Sequence, residues 1–489
     1  MIIIDGEHLT LEDVHLVSRK HERVSISQDA YEKMQKSREV IEKIIETGRP
    51  VYGVNTGFGA LASVRIPKDK LQQLQRNIVL SHSAGIGDYL SEDIVRAMIL
   101  IRANTLAKGY SGVRPIVVEK LTELLNKGIT PAVPEKGSVG ASGDLAPLSH
   151  IAMCIIGEGK ILESGKEKHI KNTDFEPIQL EEKEGLSLVN GTQFMAANLA
   201  LIVRDLEKLI KISTLTAALS VDVLFGTPTA FDERIQLVRS HPGQIVVARW
   251  LREILDGSEL RNSHKDCPKV QDPYTLRTIP QVYGAVYDTI TWVKDVVIRE
   301  INSATDNPLV FDEEVISGGN FHGEPLALCA DYLAIALTSM GNMIERRIDR
   351  LVNPKINEGL PPFLASGEDG LNSGYMIWQY TAAALCNENK ILSHPASADS
   401  IPTSAYQEDH VSMGANGVRK LKRIYENLVS LIAIEAMLGC VALDLRRPLK
   451  SSMEIEKFCD KIKIKASSDR FFGEDFERVR NVIIKEVLL

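Results

Sequence analysis

The segment FMAANLALIVRDLEKLIKISTLTAALSVDVL, from Phe194 to Leu224, carries the strongest indication of fold class in this chain. Its apolar residues recur at mixed spacings of three and four, and it contains no proline or glycine. This periodicity predicts one long helix. The segments Glu324 to Leu351 and Val418 to Leu445 follow the same pattern. Helices that are apolar on most faces must be buried, so we expect a mainly α protein built on a long-helix bundle.

Strand-like alternation is confined to Met1 to Ile4 and to a segment around Ile161 to Lys168. The charged stretch Glu163 to Glu184 has the composition of a surface excursion. We therefore expect a domain boundary near residue 185. It would separate an N-terminal domain, residues 1–185, which carries a glycine-rich loop, from a long-helix bundle domain, residues 186–489.

Composition narrows the class of protein. The chain has 489 residues, a formal net charge of -8 and 44% hydrophobic residues, a balance typical of globular proteins without affinity for nucleic acid or anionic membranes. The longest apolar run, Leu333 to Ile344, is shorter than the roughly 20 residues that a membrane helix needs. The first residues lack the basic and apolar regions of a secretory signal. We expect a cytoplasmic protein with no nucleic-acid or membrane partner.

The six cysteines are dispersed, and none forms a Cys-x-x-Cys pair. This pattern favours a reducing compartment and argues against a disulfide framework. His264 and Cys267 have a spacing found in zinc sites, but no second ligand pair accompanies them.

The segment GSVGASGDLAPLSH, from Gly137 to His150, is the most informative for chemistry. It could be a flexible loop before a helix that Asp144 caps. It is not a phosphate-binding loop of the G-x-x-x-x-G-K-[ST] type, nor a G-x-S-x-G nucleophile turn. A further reading is a self-made electrophile. In a tight turn, the amide nitrogen of Gly143 can attack the carbonyl carbon of Ala141, and one water is lost. Loss of the Ser142 hydroxyl as a second water then leaves an exocyclic methylidene on a five-membered ring.

Together with YGVNTGFG (Tyr52 to Gly59), QDPYTLR (Gln271 to Arg277) and QEDHVSM (Gln407 to Met413), this loop resembles the histidine and aromatic amino-acid ammonia-lyases. The resemblance runs from about Thr10 to Arg446. It implies a 4-methylidene-imidazol-5-one group formed from Ala141, Ser142 and Gly143, with no pyridoxal phosphate, nucleotide or metal. It also implies a fumarase/aspartase-like helical fold and a homotetramer whose active sites draw on three subunits.

The resemblance assigns roles to several residues. Tyr52 matches the base that removes the β-proton of the amino acid, and Tyr274 matches a second active-site tyrosine. The two tyrosines could exchange their roles without any change of motif. Arg277 shares a face with Tyr274 if the segment is helical, and its guanidinium could clamp the substrate carboxylate. Without the motif, Arg277 would be interpreted as a surface or interface ion-pair residue.

Polar companions complete the implied site. Asn190, in LVNGTQ, matches an amide beside the electrophile, and Glu408 matches a carboxylate beside the substrate. Asp409, which follows it, could simply cap a helix. Less distinctive matches, each of which could also be an ordinary turn, cap or core residue, are Asn307, Gln271 and Phe321.

Substrate choice is expected to depend on Ser81 and His82, in NIVLSHSAGIG. Histidine lyases resemble this Ser-His pair, whereas phenylalanine lyases have an aromatic-Leu pair and tyrosine lyases His-Leu. An imidazole needs polar partners, which His82 and Glu408 could supply. The pattern points to deamination of L-histidine to trans-urocanate and ammonia, the first step of histidine degradation.

Some residues depart from the histidine-lyase pattern. They are Thr278, which follows Arg277, Tyr406, in place of an asparagine, and the aromatic residues Trp378 and Tyr380. These departures keep a tyrosine or phenylalanine ammonia-lyase and a tyrosine 2,3-aminomutase open as alternatives. A fumarase-type lyase would lack the Ala-Ser-Gly triplet. A helical scaffold without activity would be indifferent to Ser142→Ala.

Overall fold

A computed structural model describes residues 1–163, 165–265, 267, 269–368 and 370–489. Helices dominate it, which confirms the prediction of a mainly α protein. The helices of the first half are α1 (Leu11–Arg19), α2 (Gln28–Thr47), α3 (Leu71–His82), α4 (Glu92–Ala107), α5 (Pro115–Asn126), α6 (Leu145–Ile155), α7 (Glu184–Val189), α8 (Gln193–Val223) and α9 (Glu233–Leu237). The remaining helices are α10 (Pro242–Leu255), α11 (Glu259–Asn262), α12 (Tyr274–Arg277), α13 (Ile279–Ile301), α14 (Glu324–Val352), α15 (Met376–Leu392), α16 (Gly414–Leu445), α17 (Met453–Ile462) and α18 (Gly473–Leu488).

The three long helices predicted from periodicity are α8, α14 and α16, and their ends lie within a few residues of the predicted ones. The start of α16 shows the largest difference, because it begins at Gly414 rather than Val418. The fourth long helix, α13, has 23 residues and was not predicted from the sequence.

The strands are short and form two-stranded pairs. Among the described residues they are β1 (Ile2–Ile4), β2 (Val24–Ile26), β3 (Ile86–Tyr89), β4 (Pro134–Lys136), β5 (Lys160–Glu163), β6 (Lys166–His169), β7 (Leu309–Phe311) and β8 (Glu314–Ile316). The first pair is parallel, and the others are antiparallel. Sequence alternation predicted β1 and the β5–β6 hairpin only.

The chain divides into two compact units. The first comprises residues 1–204, 294–331 and 395–419, and the second comprises residues 205–293, 332–394 and 420–489. The predicted division into 1–185 and 186–489 differs from these bounds, because four long helices each contribute residues to both units. The two units are defined by contacts in space and not by independent folding, so the predicted domain boundary near residue 185 stays a prediction.

The first unit is built around α4, which is buried from Ile94 to Ala107 and packs against α1 and α5. Local signals in the sequence set the ends of the neighbouring helices. Thr10 and Asp13 form a reciprocal capping box at the start of α1. Gly48 ends α2 in the left-handed conformation, with φ of 67°. These signals fix where α1 begins and where α2 ends.

The second unit has a buried charged centre and one covalent cross-link. Arg347 and Glu435, both fully buried, form an ion pair, and Arg347 also donates to the hydroxyl of Tyr283. Cys440 and Cys459 form a disulfide with Cα atoms 5.6 Å apart. The expectation that the cysteines form no disulfide is therefore wrong at this pair. The two residues lie on α16 and α17, and only the packing of these helices brings them together.

Two further expectations bear on burial. Helices α14 and α16 are long and apolar enough to cross a membrane by length and composition alone. Within their most apolar windows, 67% and 83% of the residues are buried, as is typical of core helices. The stretch Glu163 to Glu184 is not a surface excursion at its end, because Lys183 and Glu184 are fully buried.

Candidate active site

A cavity of about 460 Å³ lies in the first unit, beside the glycine-rich loop. Its walls come from the loop after Tyr52, the C-terminal half of α3, the Ala-Ser-Gly triplet, the end of α7 and the loop before α16. The residues that line it are Tyr52, Gly57, Phe58, Gly59, Leu61, Val64, Ile66, Leu74, Asn77, Ile78, Ser81, His82, Ser142, Leu145, Leu186, Asn190, Ser404 and Glu408.

The triplet is held in an unusual backbone conformation. Ser142 has φ of 50° and Gly143 has φ of 73°, so both lie in the left-handed region. A Cβ atom added at Gly143 would lie 2.3 Å from the amide nitrogen of Gly191, which leaves room for glycine alone. The amide of Asp144 donates to the Gly191 carbonyl at 2.6 Å. This bent, closely packed loop is the geometry that the predicted ring closure requires.

Asn190 ends α7 and contacts the triplet directly. Its Nδ2 donates to the backbone carbonyl of Ser142 at 2.6 Å. Its Oδ1 is buried and has no hydrogen-bond partner among the residues that the structure describes. A buried amide oxygen without a partner is costly, and it can accept a hydrogen bond from a bound molecule. The residues around Ser142 therefore fit a polar prosthetic group at this position.

Asp144 directly follows the triplet and precedes α6. Its side chain makes no capping hydrogen bond to that helix. Its two carboxylate oxygens accept from Ser138 Oγ at 2.7 Å and from the Met195 amide at 3.1 Å. Burial raises the pKa of Asp144 to about 6, although these donors act to lower it. Asp144 thus links the triplet loop to the first turn of α8.

Glu408 reaches the same loop from the other side of the cavity. Its Oε1 accepts from the Ser142 hydroxyl at 2.7 Å, and its Oε2 accepts from Thr403 Oγ1 at 2.7 Å. Thr403 and Glu408 also pair through their backbones. Glu408 is partly buried, whereas Asp409 is exposed. A carboxylate held at both oxygens keeps a defined position beside the serine that the predicted ring consumes.

Tyr52 lies in the cavity wall with its hydroxyl 3.4 Å from the Gly59 amide, which donates to it. Burial raises the pKa of Tyr52, and the charges of Glu408 and Asp306 raise it further, although the Gly59 hydrogen bond acts in the opposite direction. The free enzyme therefore holds Tyr52 in its protonated form at neutral pH.

Ser81 and His82 both line the cavity at the end of α3. The hydroxyl of Ser81 donates to the Ile78 carbonyl at 3.3 Å and lies 3.0 Å from His82 Nδ1. Burial lowers the pKa of His82, although its hydrogen bond with Ile78 and the charge of Glu408 act to raise it. When the Ser81 hydroxyl donates its hydrogen bond to the Ile78 carbonyl, its oxygen can only accept from His82. The neutral His82 ring then donates from Nδ1, and its Nε2 remains an acceptor.

Seven predicted site residues do not line this cavity: Ala141 and Gly143, which flank Ser142, and five that lie elsewhere. In the first unit, Phe321 is half-buried, and the Asn307 amide oxygen accepts from Ser317 Oγ and from the Gly318 amide. In the second unit, Arg277 lies over the ring of Tyr274, with 4.7 Å between the guanidinium carbon and the ring centroid. The segment is helical, as the shared face of these two residues requires. Gln271 is exposed, and Tyr274 is 71% exposed.

The structure also shows cavity residues that sequence reasoning missed. Asn77 precedes Ser81 by one helical turn, so the four-residue spacing could have identified it. Ser404 lines the cavity, and Thr403 holds Glu408. Both lie just before the QEDHVSM motif, but no pattern in that loop distinguishes them from ordinary turn residues.

The structure also shows where the aromatic residues that depart from the histidine-lyase pattern lie, and where His264 of the possible zinc site lies. Tyr406 and Tyr380 are 79% and 58% exposed, and Trp378 packs on Phe476; none of the three lines the cavity. The ring of His264 stacks on Phe225 at 4.3 Å. Within the part of the chain that the structure describes, no group of three or more His, Cys, Asp or Glu side chains could hold a metal ion.

Comparison with known proteins gives consistent matches over the whole chain. The family model for aromatic amino acid lyases matches residues 9–464. The probable histidine ammonia-lyase of Thermoplasma volcanium is 50% identical, over 100% of this chain and 99% of the relative. The solved histidine ammonia-lyase of Trypanosoma cruzi is 40% identical with a TM-score of 0.91, covering 100% of this chain and 94% of that one. The tyrosine aminomutase of Streptomyces globisporus is 37% identical with a TM-score of 0.94, covering 100% and 97%.

Proposed function

This chain belongs to the aromatic amino acid lyase family, and we propose that it removes ammonia from L-histidine to give trans-urocanate. The observation that carries the proposal is a single cavity that contains Ser142, Glu408 and the Ser81–His82 pair. A site with these polar groups favours an imidazole over a plain hydrocarbon ring, because an apolar side chain would leave them unpaired. Two relatives that match over nearly their full length, at 50% and 47% identity, support the same substrate. One is named a probable histidine ammonia-lyase and the other a histidine ammonia-lyase.

We propose that Ala141, Ser142 and Gly143 form the 4-methylidene-imidazol-5-one group of this family. The left-handed backbone of Ser142 and Gly143 and the hydrogen bond from Asn190 to the Ser142 carbonyl support this assignment. Once formed, the group supplies an electrophile for the amine of the amino acid. The proposal requires no pyridoxal phosphate, nucleotide or metal ion.

The chain's own residues would divide the remaining work. Tyr52 is the proposed base for the β-proton, and the Gly59 amide helps to stabilise its phenolate. Glu408 holds a negative charge beside the Ser142 position, where it can orient the substrate ammonium. His82 Nε2 can accept from the imidazole N–H of the substrate. Asn190 keeps its Oδ1 available for a further donor.

We propose that a homotetramer completes each active site. The 71% exposure of Tyr274 supports this, because an exposed phenol with the half-buried Arg277 guanidinium stacked on it can contact a neighbouring subunit's cavity. Arg277 would clamp the substrate carboxylate there. Gln271 and Phe321 would line the pocket, and Asn307 would contact the substrate carboxylate or the prosthetic ring. The proposed location of the assembly is the cytoplasm.

The decisive experiment mixes the purified protein with L-histidine and follows near-ultraviolet absorbance together with released ammonia. The proposal predicts a rising urocanate band and an equal amount of ammonia. Ser142→Ala should be folded and almost inactive, because it removes the leaving hydroxyl. A flat trace with the native chain would refute the histidine assignment, and normal turnover by Ser142→Ala would refute the self-made electrophile.

Subunit sharing has its own test. A mixture of two inactive variants, Tyr52→Phe and Tyr274→Phe, should regain activity after dissociation and reassembly, because some sites then combine two native residues. Sedimentation should give a mass near four chains. A single-chain mass with full activity, or no regain in the mixture, would contradict the shared site.

A second candidate function rests on the similarity to the tyrosine aminomutase structure. The same electrophile and base would serve, and the released amine would add back before the acrylate leaves. Incubation with L-tyrosine distinguishes the two. A β-amino acid product, or faster turnover than with L-histidine, would replace the lyase assignment.

A further inference from the structure

Lys183 and Asp306 form an ion pair in which both side chains have 0% exposure, with 2.7 Å between Nζ and Oδ2. We propose that this pair is a positioning device: it holds α7 so that Asn190 can fix the Ser142 carbonyl, and without it the triplet does not reach the geometry for ring closure. Neither residue lines the cavity. The inference rests on the proposed function, since it presumes that the ring forms.

Lys183 stands in an unfavourable backbone conformation. It is the residue before α7 and has φ of 72°, in the left-handed region that a side chain with a Cβ disfavours. Such conformations persist only where the surroundings impose them, and they gather at functional sites. The surroundings here are fully buried, and the Lys183 ammonium is bonded to Ser187 Oγ at 2.7 Å as well as to Asp306. The pair therefore fixes where α7 begins.

The contacts continue along α7 to the triplet. Asp306 Oδ2 also accepts from Ser187 Oγ at 2.9 Å, in the middle of the helix. The helix has only six residues, so holding its start and middle leaves little freedom at its end. Asn190 follows directly and donates to the Ser142 carbonyl at 2.6 Å. The next residue, Gly191, packs against Gly143.

A third buried charge joins the same network. Arg102 donates to the Ser187 carbonyl and, at 3.3 Å, to Gln193 Oε1. Burial acts to raise the pKa of Asp306, but the positive charges of Lys183 and Arg102 lower it, so the carboxylate is ionised. Asp306 Oδ1 accepts from the Asn307 amide at 2.7 Å. The carboxylate thus links the backbone at Asn307 to the start and the middle of α7, the helix that Asn190 follows.

Stability alone does not account for this arrangement. A fully buried ion pair is often no more stabilising than apolar side chains of the same volume, because both charges lose their hydration. The ion pair does, however, fix the distance and the relative direction of the two groups that it joins. A displacement of about 1 Å at a reacting atom lowers rates by roughly a hundredfold, so a rigid support for Asn190 has a chemical consequence.

The experiment uses the full chain and four proteins: the native one, Lys183→Met, the double variant Lys183→Met/Asp306→Asn, and a control. The double variant leaves no unpaired buried charge, so it keeps the test valid if the single variant fails to fold. The matched control is Arg347→Met/Glu435→Gln, which removes another fully buried ion pair whose residues do not line the cavity. Intact mass of the denatured chain reports ring formation, because a ring-bearing chain is lighter by two waters.

We expect the native chain and the control to be lighter by two waters. The folded double variant should remain largely at the unprocessed mass, and its kcat should fall by roughly tenfold or more with a smaller change in KM. A folded double variant with complete water loss and native kcat would overturn the positioning role. Equal loss of ring formation in the control would also overturn it, because the effect would then be one of general stability. A native chain at the unprocessed mass would refute the proposed prosthetic group itself, and the inference with it.

Discussion

Glu408 acts on three other side chains of the cavity at once. It accepts the Ser142 hydroxyl, and its negative charge raises the pKa of both Tyr52 and His82. For His82 this effect opposes burial, which lowers the pKa, whereas for Tyr52 it adds to burial. The charge of Glu408 therefore favours the protonated form of Tyr52; the phenolate, when it forms, is a stronger base but is less populated.

This leads to a prediction about Tyr52. Replacing Glu408 with Gln removes a negative charge near the phenol, so the pKa of Tyr52 should fall. The tyrosinate absorbance of the native chain minus that of Tyr52→Phe gives the titration of this one residue, and the same subtraction in the Glu408→Gln background gives its shift. If Tyr52 is the base, the rise of residual activity with pH should move to lower pH as well. An unchanged titration would contradict the electrostatic coupling.

Asp144 predicts a pH dependence of stability. Its pKa is raised from 3.8 to about 6 in the folded chain, so its contribution is fully present below the unfolded value and is lost as pH rises through the folded one. Asp144→Asn has nearly the same shape and cannot ionise. Relative to this variant, the native chain should lose about 2 kcal/mol of unfolding free energy between about pH 4 and pH 7. Denaturant unfolding of both proteins at the two pH values measures it. A constant difference between the proteins would contradict the raised pKa.

At the scale of elements, helix packing depends on where small residues lie. Helices α10 and α13 approach closely at Gly243 and Gly284 in the second unit. A Cβ atom at Gly284 would lie 2.3 Å from the Gln244 amide nitrogen, and one at Gly243 would lie 2.2 Å from the Gly284 carbonyl oxygen. The neighbours are backbone atoms, which cannot turn aside, so the two helices would have to separate.

We predict that Gly284→Ala lowers the free energy of unfolding by about 1–3 kcal/mol, although alanine favours helix formation. Chemical denaturation against the native chain measures this. Gly319→Ala is the control, because its added methyl meets open space, and it should be neutral. A stabilised Gly284→Ala would mean that propensity outweighs packing at this crossing.

The helices and strands also differ in how well the sequence predicts them. Helix α8 could be predicted because its apolar period is a local property of 31 residues. Strands such as β7 and β8 have three residues each and pair only because a hairpin brings them together, so their sequence shows no alternation to detect. Helix α12 has four residues and depends on Pro273 and on its neighbours rather than on its own propensity.

At the scale of the whole molecule, the disulfide bears on stability. It closes a loop with a sequence separation of 19 between Cys440 and Cys459. We predict that Cys459→Ala lowers the unfolding free energy by about 3 kcal/mol, since the open chain gains conformational freedom when unfolded. The native chain with reductant should match the variant, and Cys267→Ala, at a free cysteine, should be neutral. Six titratable thiols in the denatured, unreduced chain would show that the bond is absent.

The amino-acid sequence by itself determined the helical class and the three long helices, and it indicated the chemistry proposed for the Ala-Ser-Gly triplet. It also indicated that Tyr52, Ser81, His82, Asn190 and Glu408 belong to one site. These features depend on residues that are neighbours along the chain, or on short motifs whose residue types the chemistry requires. Local spacing and local propensity are sufficient for the helices, whereas the grouping of the site residues followed from the resemblance of their motifs to the family.

Only the tertiary structure decided which distant groups meet. The Ser142 hydroxyl contacts a carboxylate 266 residues away, Lys183 enters the interior to pair with Asp306, and Cys440 bonds to Cys459. A charged residue is predicted to be exposed unless its partner is known, and the partner here lies 123 residues further on. Long-range pairing and burial depend on how all the helices pack together, which no local pattern contains.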